Sequence, residues 1–270
     1  MPFARFRGSI IRPTILATLA ILALPLATPR PAVAEPVVIL AAATLKDALD
    51  AVTAAAASAM PVQTTAIYGS SPGLVKQLEN GAPGDLFFSA DTDWMNEAVK
   101  RQLVDPATRV DVLSSSLVLV GPAPQPAATP ITASFPLSMM LGDGRLAMCD
   151  PMMMPAGRYG RIALQHLGLW EGVKDHVANA ENIRVALTEV AHHETPLGVV
   201  FDTDARLDNR VAIVGTFPAD SHPPILFPLA AVSHGHNPDT ARLLAFLVSP
   251  AARSIFESYG YAVVAPATAP

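Results

Sequence analysis

Ile67-Tyr68-Gly69-Ser70-Ser71-Pro72-Gly73-Leu74-Val75-Lys76-Gln77 reads as the end of a strand, a turn of small hydroxylic residues and the first turn of a helix. Pro72 suits the first helical position, where no backbone N–H is needed. Ser70 and Ser71 are of the residue type that caps such a start. The first N–H groups of a helix have no partner inside it, so a start of this kind is a natural anion site. Thr44, Ala156 and Ile183 stand at three further small or hydroxylic helix starts. The four together are expected to converge on one small oxyanion.

Working outward, Val37-Val38-Ile39-Leu40-Ala41-Ala42 is a continuous apolar run, the pattern of a strand buried on both faces of a parallel sheet. Thr44 is a candidate N-cap for a helix over 45–59. A strand over 62–68, a helix over 72–80, a short strand over 85–89 and a helix over 92–101 follow. This β-α-β-α-β-α alternation predicts an α/β fold with a doubly wound parallel sheet, whose ligand sits at the carboxyl ends of the strands. From Ser116 a second set of similar plan begins. It has strands over 116–120, 145–149, 198–201 and 211–217, and helices over 158–167 and from Glu181 to about His193. A strand over 226–232 and helices over 238–247 and 251–259 complete the chain, with extended residues to Val264. Two β/α lobes with the chain crossing between them predict a clamshell. Lobe I comprises 35–115 plus 219–270 and lobe II 116–218, with hinges near Ser114–Ser116 and Pro218–His222.

Residues 1–34 read as a secretory signal peptide. Arg5, Arg7 and Arg12 precede an apolar run over 14–27, and Ala32-Val33-Ala34 is a small-x-small cleavage site before Glu35. The run is too short and wrongly flanked for a stable membrane span. The chain has 270 residues and a net charge of −5. Setting aside Arg5, Arg7, Arg12 and Arg30 leaves 14 basic residues against 23 acidic ones, a net charge of −9. A nucleic-acid partner is therefore not expected. An anionic ligand gains nothing from so negative a field, so local dipoles must hold it. The single cysteine, Cys149, allows no internal disulfide and reads as a buried, inert thiol.

Several motifs invite other chemistry. Gly69-Ser70-Ser71-Pro72-Gly73 matches the G-x-S-x-G elbow of serine hydrolases, with Asp204 and His234 or His236 as nominal partners. That elbow uses the N–H of the residue after the serine, and Pro72 has none. His192-His193 and His234-Gly235-His236 lack a third metal ligand at a convincing spacing. Met152-Met153-Met154 reads as apolar packing or cleft lining rather than a copper(I) site. Lys46, Arg158 and Arg184 lie just inside three of the helix starts. They read as exposed residues rather than ligand cations, because a buried cation needs stronger pairing than the sequence identifies.

The mature chain resembles the periplasmic molybdate-binding components of ABC importers from about Val37 to Val264. The resemblance rests on Ala41-Ala42-Ala43-Thr44-Leu45, Ser70-Ser71 with Gln77, the run Glu79 to Phe87, and Ser89-Ala90-Asp91. It continues through Asp150-Pro151, Pro155-Ala156-Gly157, Pro196 to Val200 and Thr216-Phe217-Pro218. It implies a type II periplasmic-binding-protein clamshell that is not an enzyme and uses no cofactor. It would act as a monomer in the periplasm, taking molybdate or tungstate in its cleft and delivering the ion to a membrane permease. The ligand contacts carry over to Thr44, Ser71, Ala156, Ile183 and Phe201. Thr44 stands where serine is usual and keeps the hydroxyl. Phe201 stands where a tyrosine often donates its phenol, and phenylalanine cannot donate. A binding protein of the same fold for another oxyanion, such as sulfate, is the alternative that Phe201 keeps open.

Overall fold

A computed structural model describes residues 1–4 and 35–264; the expected signal peptide falls almost wholly outside the described residues, as does the Pro/Ala tail over 265–270. The first stretch runs β1 (Val37–Ala42), a 3₁₀ turn (Ala43–Leu45), α1 (Lys46–Ala59), β2 (Thr64–Gly69), α2 (Ser71–Glu79), β3 (Leu86–Phe88), α3 (Thr92–Lys100) and β4 (Val110–Ser114). The middle stretch runs β5 (Leu117–Pro122), β6 (Thr129–Pro130), α4 (Leu137–Leu141), β7 (Leu146–Cys149), α5 (Pro155–His166), β8 (Val177–Ala180), α6 (Ile183–Ala191), β9 (Leu197–Phe201), α7 (Asp202–Ala205) and β10 (Val211–Thr216). The chain ends with β11 (Leu226–Ala231), α8 (Thr240–Leu247), α9 (Pro250–Ser258) and β12 (Ala262–Val263).

These strands form two six-stranded sheets, ordered β12-β4-β11-β3-β1-β2 and β6-β10-β5-β9-β7-β8. In the first, β2, β1 and β3 are parallel neighbours. In the second, β8, β7 and β9 are parallel in the same spatial order. β1, β3, β7 and β9 are almost wholly buried, because helices cover both faces of a parallel sheet.

The sheets are mixed rather than purely parallel. The chain crosses from the first sheet to the second at Ser115–Ser116 and returns over 217–225. Each crossing delivers one strand into the middle of the receiving sheet. β5 lies antiparallel between β9 and β10, and β11 lies antiparallel between β3 and β4. A strand entering from the other lobe arrives at the carboxyl edge, so it must run against its parallel neighbours. Local sequence pattern carries no record of this reversal.

An aromatic row joins the two lobes. Phe201 of β9 meets Tyr159 of α5 at 6.4 Å and Phe227 of β11 at 5.6 Å between ring centres. Phe227 meets Tyr261 at 5.5 Å, and Tyr261 meets Phe256 at 6.2 Å. Phe201, Phe227 and Phe256 are fully buried. The three pairs among Phe201, Phe227, Tyr261 and Phe256 are edge-to-face, and such pairs add about 0.5–1.5 kcal/mol beyond the area they bury. Truncating Phe227 removes the ring that links the lobes. We predict that Phe227→Ala lowers the unfolding free energy in urea by about 3–5 kcal/mol. A loss below 1 kcal/mol would show that the row does not bear on stability.

Candidate functional site

Every parallel strand of both sheets ends in a helix start, and these ends face one another between the sheets. They line a cavity of about 30 Å³. One buried water needs roughly 10–15 Å³ on this measure, so the space is large enough for a small compact ion. Thr44, Ser71, Ala156, Ile183 and Phe201 all line it, two from the strand ends and helix starts of the first sheet and three from those of the second, and all are buried. No lining residue carries a charge.

Each junction exposes donors for a local reason. The N-cap of α2 is Ser70, yet its side chain makes no capping bond. The serines were expected to cap this start, and the structure gives them other work. Ser71 Oγ accepts the Ala90 N–H at 3.0 Å. An acceptor bond leaves the hydroxyl proton of Ser71 free to be donated. In α5 no side chain caps the first turn either. That helix begins at Pro155, three residues before the expected start, so Ala156 lies in its first turn. At Gly157 a Cβ would stand 2.3 Å from the carbonyl oxygens of Cys149 and Asp150, so only glycine lets the helix start approach β7 this closely. In α6 the Asn182 side chain takes the N–H groups of Arg184 and Val185 at 2.9 and 3.1 Å, leaving the Ile183 N–H over. First-turn N–H groups carry the positive end of the helix dipole, so these starts present positive potential without a formal charge.

Thr44 departs from expectation. It is not the N-cap of α1 but the middle residue of the 3₁₀ turn before it. Its hydroxyl donates to Asp204 Oδ2 at 2.5 Å, a fully buried carboxylate of the other lobe. Its carbonyl accepts from Tyr261 Oη at 2.8 Å and from Arg184 Nη2 at 3.1 Å. Arg184 Nε stands 2.7 Å from Asp204 Oδ1, but its N–H does not point along that line, so the contact is an ion pair without a hydrogen bond.

The three cations next to the helix starts are outside the cavity lining. Lys46 is exposed and pairs with Asp50 at 2.7 Å. Arg158 and Arg184 are not exposed residues as expected. Each is largely buried and bridges the lobes, Arg158 to Asp91 at 3.4 Å and to Asp93, and Arg184 to Asp47 at 2.8 Å. The indole N–H of Trp94 donates to the Met153 carbonyl at 2.8 Å, again across the lobes. Met152 and Met153 are exposed, Met153 on the wall of a groove between the lobes beside Trp94, and Met154 lines the cavity.

Cys149 and Asn182 also line the cavity, which the sequence did not single out as site residues. Burial pushes the Cys149 thiol up to about 12, so it stays protonated and is a weak donor. The hydrolase constellation is not assembled. Asp204 is bound to Thr44 and Arg184, and His234 and His236 line a separate groove with Asp85. Among the described residues, no three His, Cys, Asp or Glu side chains stand where they could hold a metal ion. None of the described helices is long and apolar enough to cross a membrane.

Residues 37–262 match the sequence profile of bacterial extracellular solute-binding proteins. The chain belongs to that family. It is 39% identical over 229 residues to the molybdate-binding protein ModA of Escherichia coli (strain K12), covering 84% of this chain and 89% of that protein. The periplasmic molybdate-binding protein of Azotobacter vinelandii superposes with a TM-score of 0.75 at 20% identity, covering 84% of this chain and 99% of that one. The sulfate-binding protein SubI of Mycobacterium tuberculosis H37Rv superposes at 0.72 with 17% identity, covering 86% and 88%. At such identities the two structures share the fold alone, and the fold serves both namesake ions.

Burial pushes Asp204 and Asp91 each up to about 6, outweighing the nearby arginines. A carboxyl whose folded value is raised stabilises the fold fully below its unfolded value near 4, and that stabilisation is lost as pH rises through 6. Asp204→Asn removes one such group. Its unfolding free energy relative to wild type should therefore rise between pH 4 and pH 7.5, by up to about 3 kcal/mol at 1.36 kcal/mol per unit. Parallel urea titrations would show this, and a pH-independent difference would contradict it.

Proposed function

We propose that this protein is the periplasmic molybdate-binding component of an ABC importer, holding molybdate or tungstate between lobes 35–115 plus 219–270 and 116–218. It carries out no catalysis and needs no cofactor. The ion would be bound by a monomer and presented to a membrane permease by the closed lobes. The 39% identity to a molybdate-binding protein over most of both chains supports this reading. The observation that carries it is the uncharged cavity into which helix starts from both lobes converge.

Molybdate and tungstate are fully ionised at neutral pH and only accept hydrogen bonds. Thr44, Ala156 and Ile183 would offer backbone N–H groups, and Ser71 its hydroxyl. Hydrogen bonds to a charged partner are roughly twice as strong as neutral ones. Each helix start adds about 0.3–2 kcal/mol of favourable potential. Protonated phosphate would bring a donor into a set of donors, leaving its proton unpaired at a cost of about 1–3 kcal/mol. Sulfate has the right charge and shape and would be rejected by size, since bonds set for a larger ion are stretched around a smaller one.

Sulfate is the second reading, favoured by Phe201 and by the shared fold of a sulfate-binding protein. Thermal melts with molybdate, tungstate, sulfate and phosphate separate the two. The preferred ion at 100 times its dissociation constant should stabilise the protein by about 2.7 kcal/mol. We expect molybdate and tungstate to do so almost equally, and sulfate and phosphate not at matched concentrations. A larger shift with sulfate would reverse the assignment. Calorimetry on Phe201→Tyr should show molybdate binding about tenfold tighter, the effect of one restored charge-assisted bond of ~1.5 kcal/mol. Unchanged affinity would mean that another group already occupies the place of the phenol.

A further inference from the structure

Thr44 sits at the cavity, yet both its polar side-chain and carbonyl groups are engaged elsewhere. A threonine hydroxyl has one proton to donate. Here that proton goes to Asp204, which has no exposed surface. The Thr44 carbonyl is held by Arg184 and by Tyr261. Arg184 and Asp204 belong to one lobe, on α6 and α7, while Thr44 and Asp47 belong to the other. When the lobes part, the Arg184–Asp204 pair can stay intact within its lobe. The contacts from Asp204 to Thr44, and from Arg184 to Thr44 and Asp47, must break together.

We propose that Arg184 and Asp204 are positioning residues that clasp Thr44 when the lobes close, so that Thr44 gives a bound oxyanion its backbone N–H and not its hydroxyl. The inference rests on the oxyanion reading for its ligand and on the inter-lobe geometry for its mechanism. The clasp also answers an electrostatic difficulty. A buried carboxylate beside an anion cavity would repel the ligand, and at close range in a low dielectric the repulsion is large. Arg184 sets a positive charge against Asp204 at 2.7 Å, so the pair presents little net charge to the cavity. Arg184 thus acts on the ligand through Thr44 and through Asp204 rather than by contact, consistent with its absence from the cavity lining.

A clasp made on closure should govern release more than capture. Trp94, bonded across the lobes to Met153, gives a fluorescence signal for closure. Stopped-flow traces with molybdate should show Arg184→Gln raising the dissociation rate tenfold or more, with the association rate within about twofold of wild type. Arg184→Lys keeps the charge without the planar fork and should recover part of the loss. Thr44→Val and Asp204→Ala should each speed release, and the double variant should release no faster than the worse single one, because both remove the one hydrogen bond between hydroxyl and carboxylate. Full additivity of that pair would overturn the proposal, since the hydroxyl would then act on the ion independently. An unchanged dissociation rate in Arg184→Gln would overturn it as well. Circular dichroism on each variant identifies any that fails to fold, and the exposed partner Asp47→Ala then carries the same test with a smaller expected rise. Sulfate is run in parallel. If wild type binds sulfate and not molybdate, the ligand assignment fails and the clasp is read from the sulfate traces. If neither ion binds, hydrogen exchange decides: faster exchange over 43–46 in Arg184→Gln supports the clasp, and equal exchange overturns it.

Discussion

A buried N–H group without an acceptor costs about 1–3 kcal/mol, and this fold places several around one small cavity. The first turns of α2, α5 and α6 and the 3₁₀ turn before α1 all end there. In two of the helices no side chain caps the start, and in α6 the cap covers its neighbours but not Ile183. Closing the lobes with nothing inside would leave these donors dry. An ion that only accepts hydrogen bonds removes the penalty in every direction at once. Closure and occupancy are therefore linked by the backbone itself, whatever side chains surround it.

The same constraint explains where the charges are. The described lobes carry an excess of carboxylates, yet none lines the cavity, and the buried Asp204 and Asp91 are each paired with an arginine. Arg158 and Arg184 sit three residues and one residue past their helix starts, close enough to have served as ligand cations. Both instead tie the lobes together through carboxylates of the opposite lobe. A guanidinium in the cavity would hold any small anion and would need its own counter-charge when the cavity emptied. Fixed dipoles impose no such demand, and they discriminate by direction and distance.

Much of the architecture was legible because buried parallel strands write continuous apolar runs. Val37–Ala42 and the apolar residues before Cys149 announce themselves, and each is followed by a helix start. All five expected site residues meet at one cavity for the same reason: each stands at the carboxyl end of a strand or the helix start after it. What stayed hidden is non-local. Thr44 and Asp204 are separated by 160 positions, and nothing near either residue specifies the other. The antiparallel insertion of β5 and β11 depends on the two crossings, which no window of sequence contains. The four-residue helix α7, which carries Asp204, is too short to leave a periodic signal. Of the methionine run, Met153 and Met154 line grooves between the lobes, while Met152 is exposed because Asp150 turns that loop outward by accepting the N–H groups of Met152 and Met153 at 2.7 and 3.0 Å.

Phe201 shows how packing and binding compete for one position. Its ring is the second-lobe end of the contact that joins the lobes through Phe227, and it also borders the cavity. A phenol at that place would need an acceptor whenever the cavity was empty, since a buried hydroxyl is costly to leave unpaired. Phenylalanine removes that demand and leaves the aromatic row wholly apolar at its midpoint. The cavity then depends more heavily on backbone N–H groups, whose positions are set by the helix starts and cannot turn to follow a smaller ion. On the oxyanion reading, a set with one rotatable donor fewer is more rigid, and selection by ion size would rest on that rigidity.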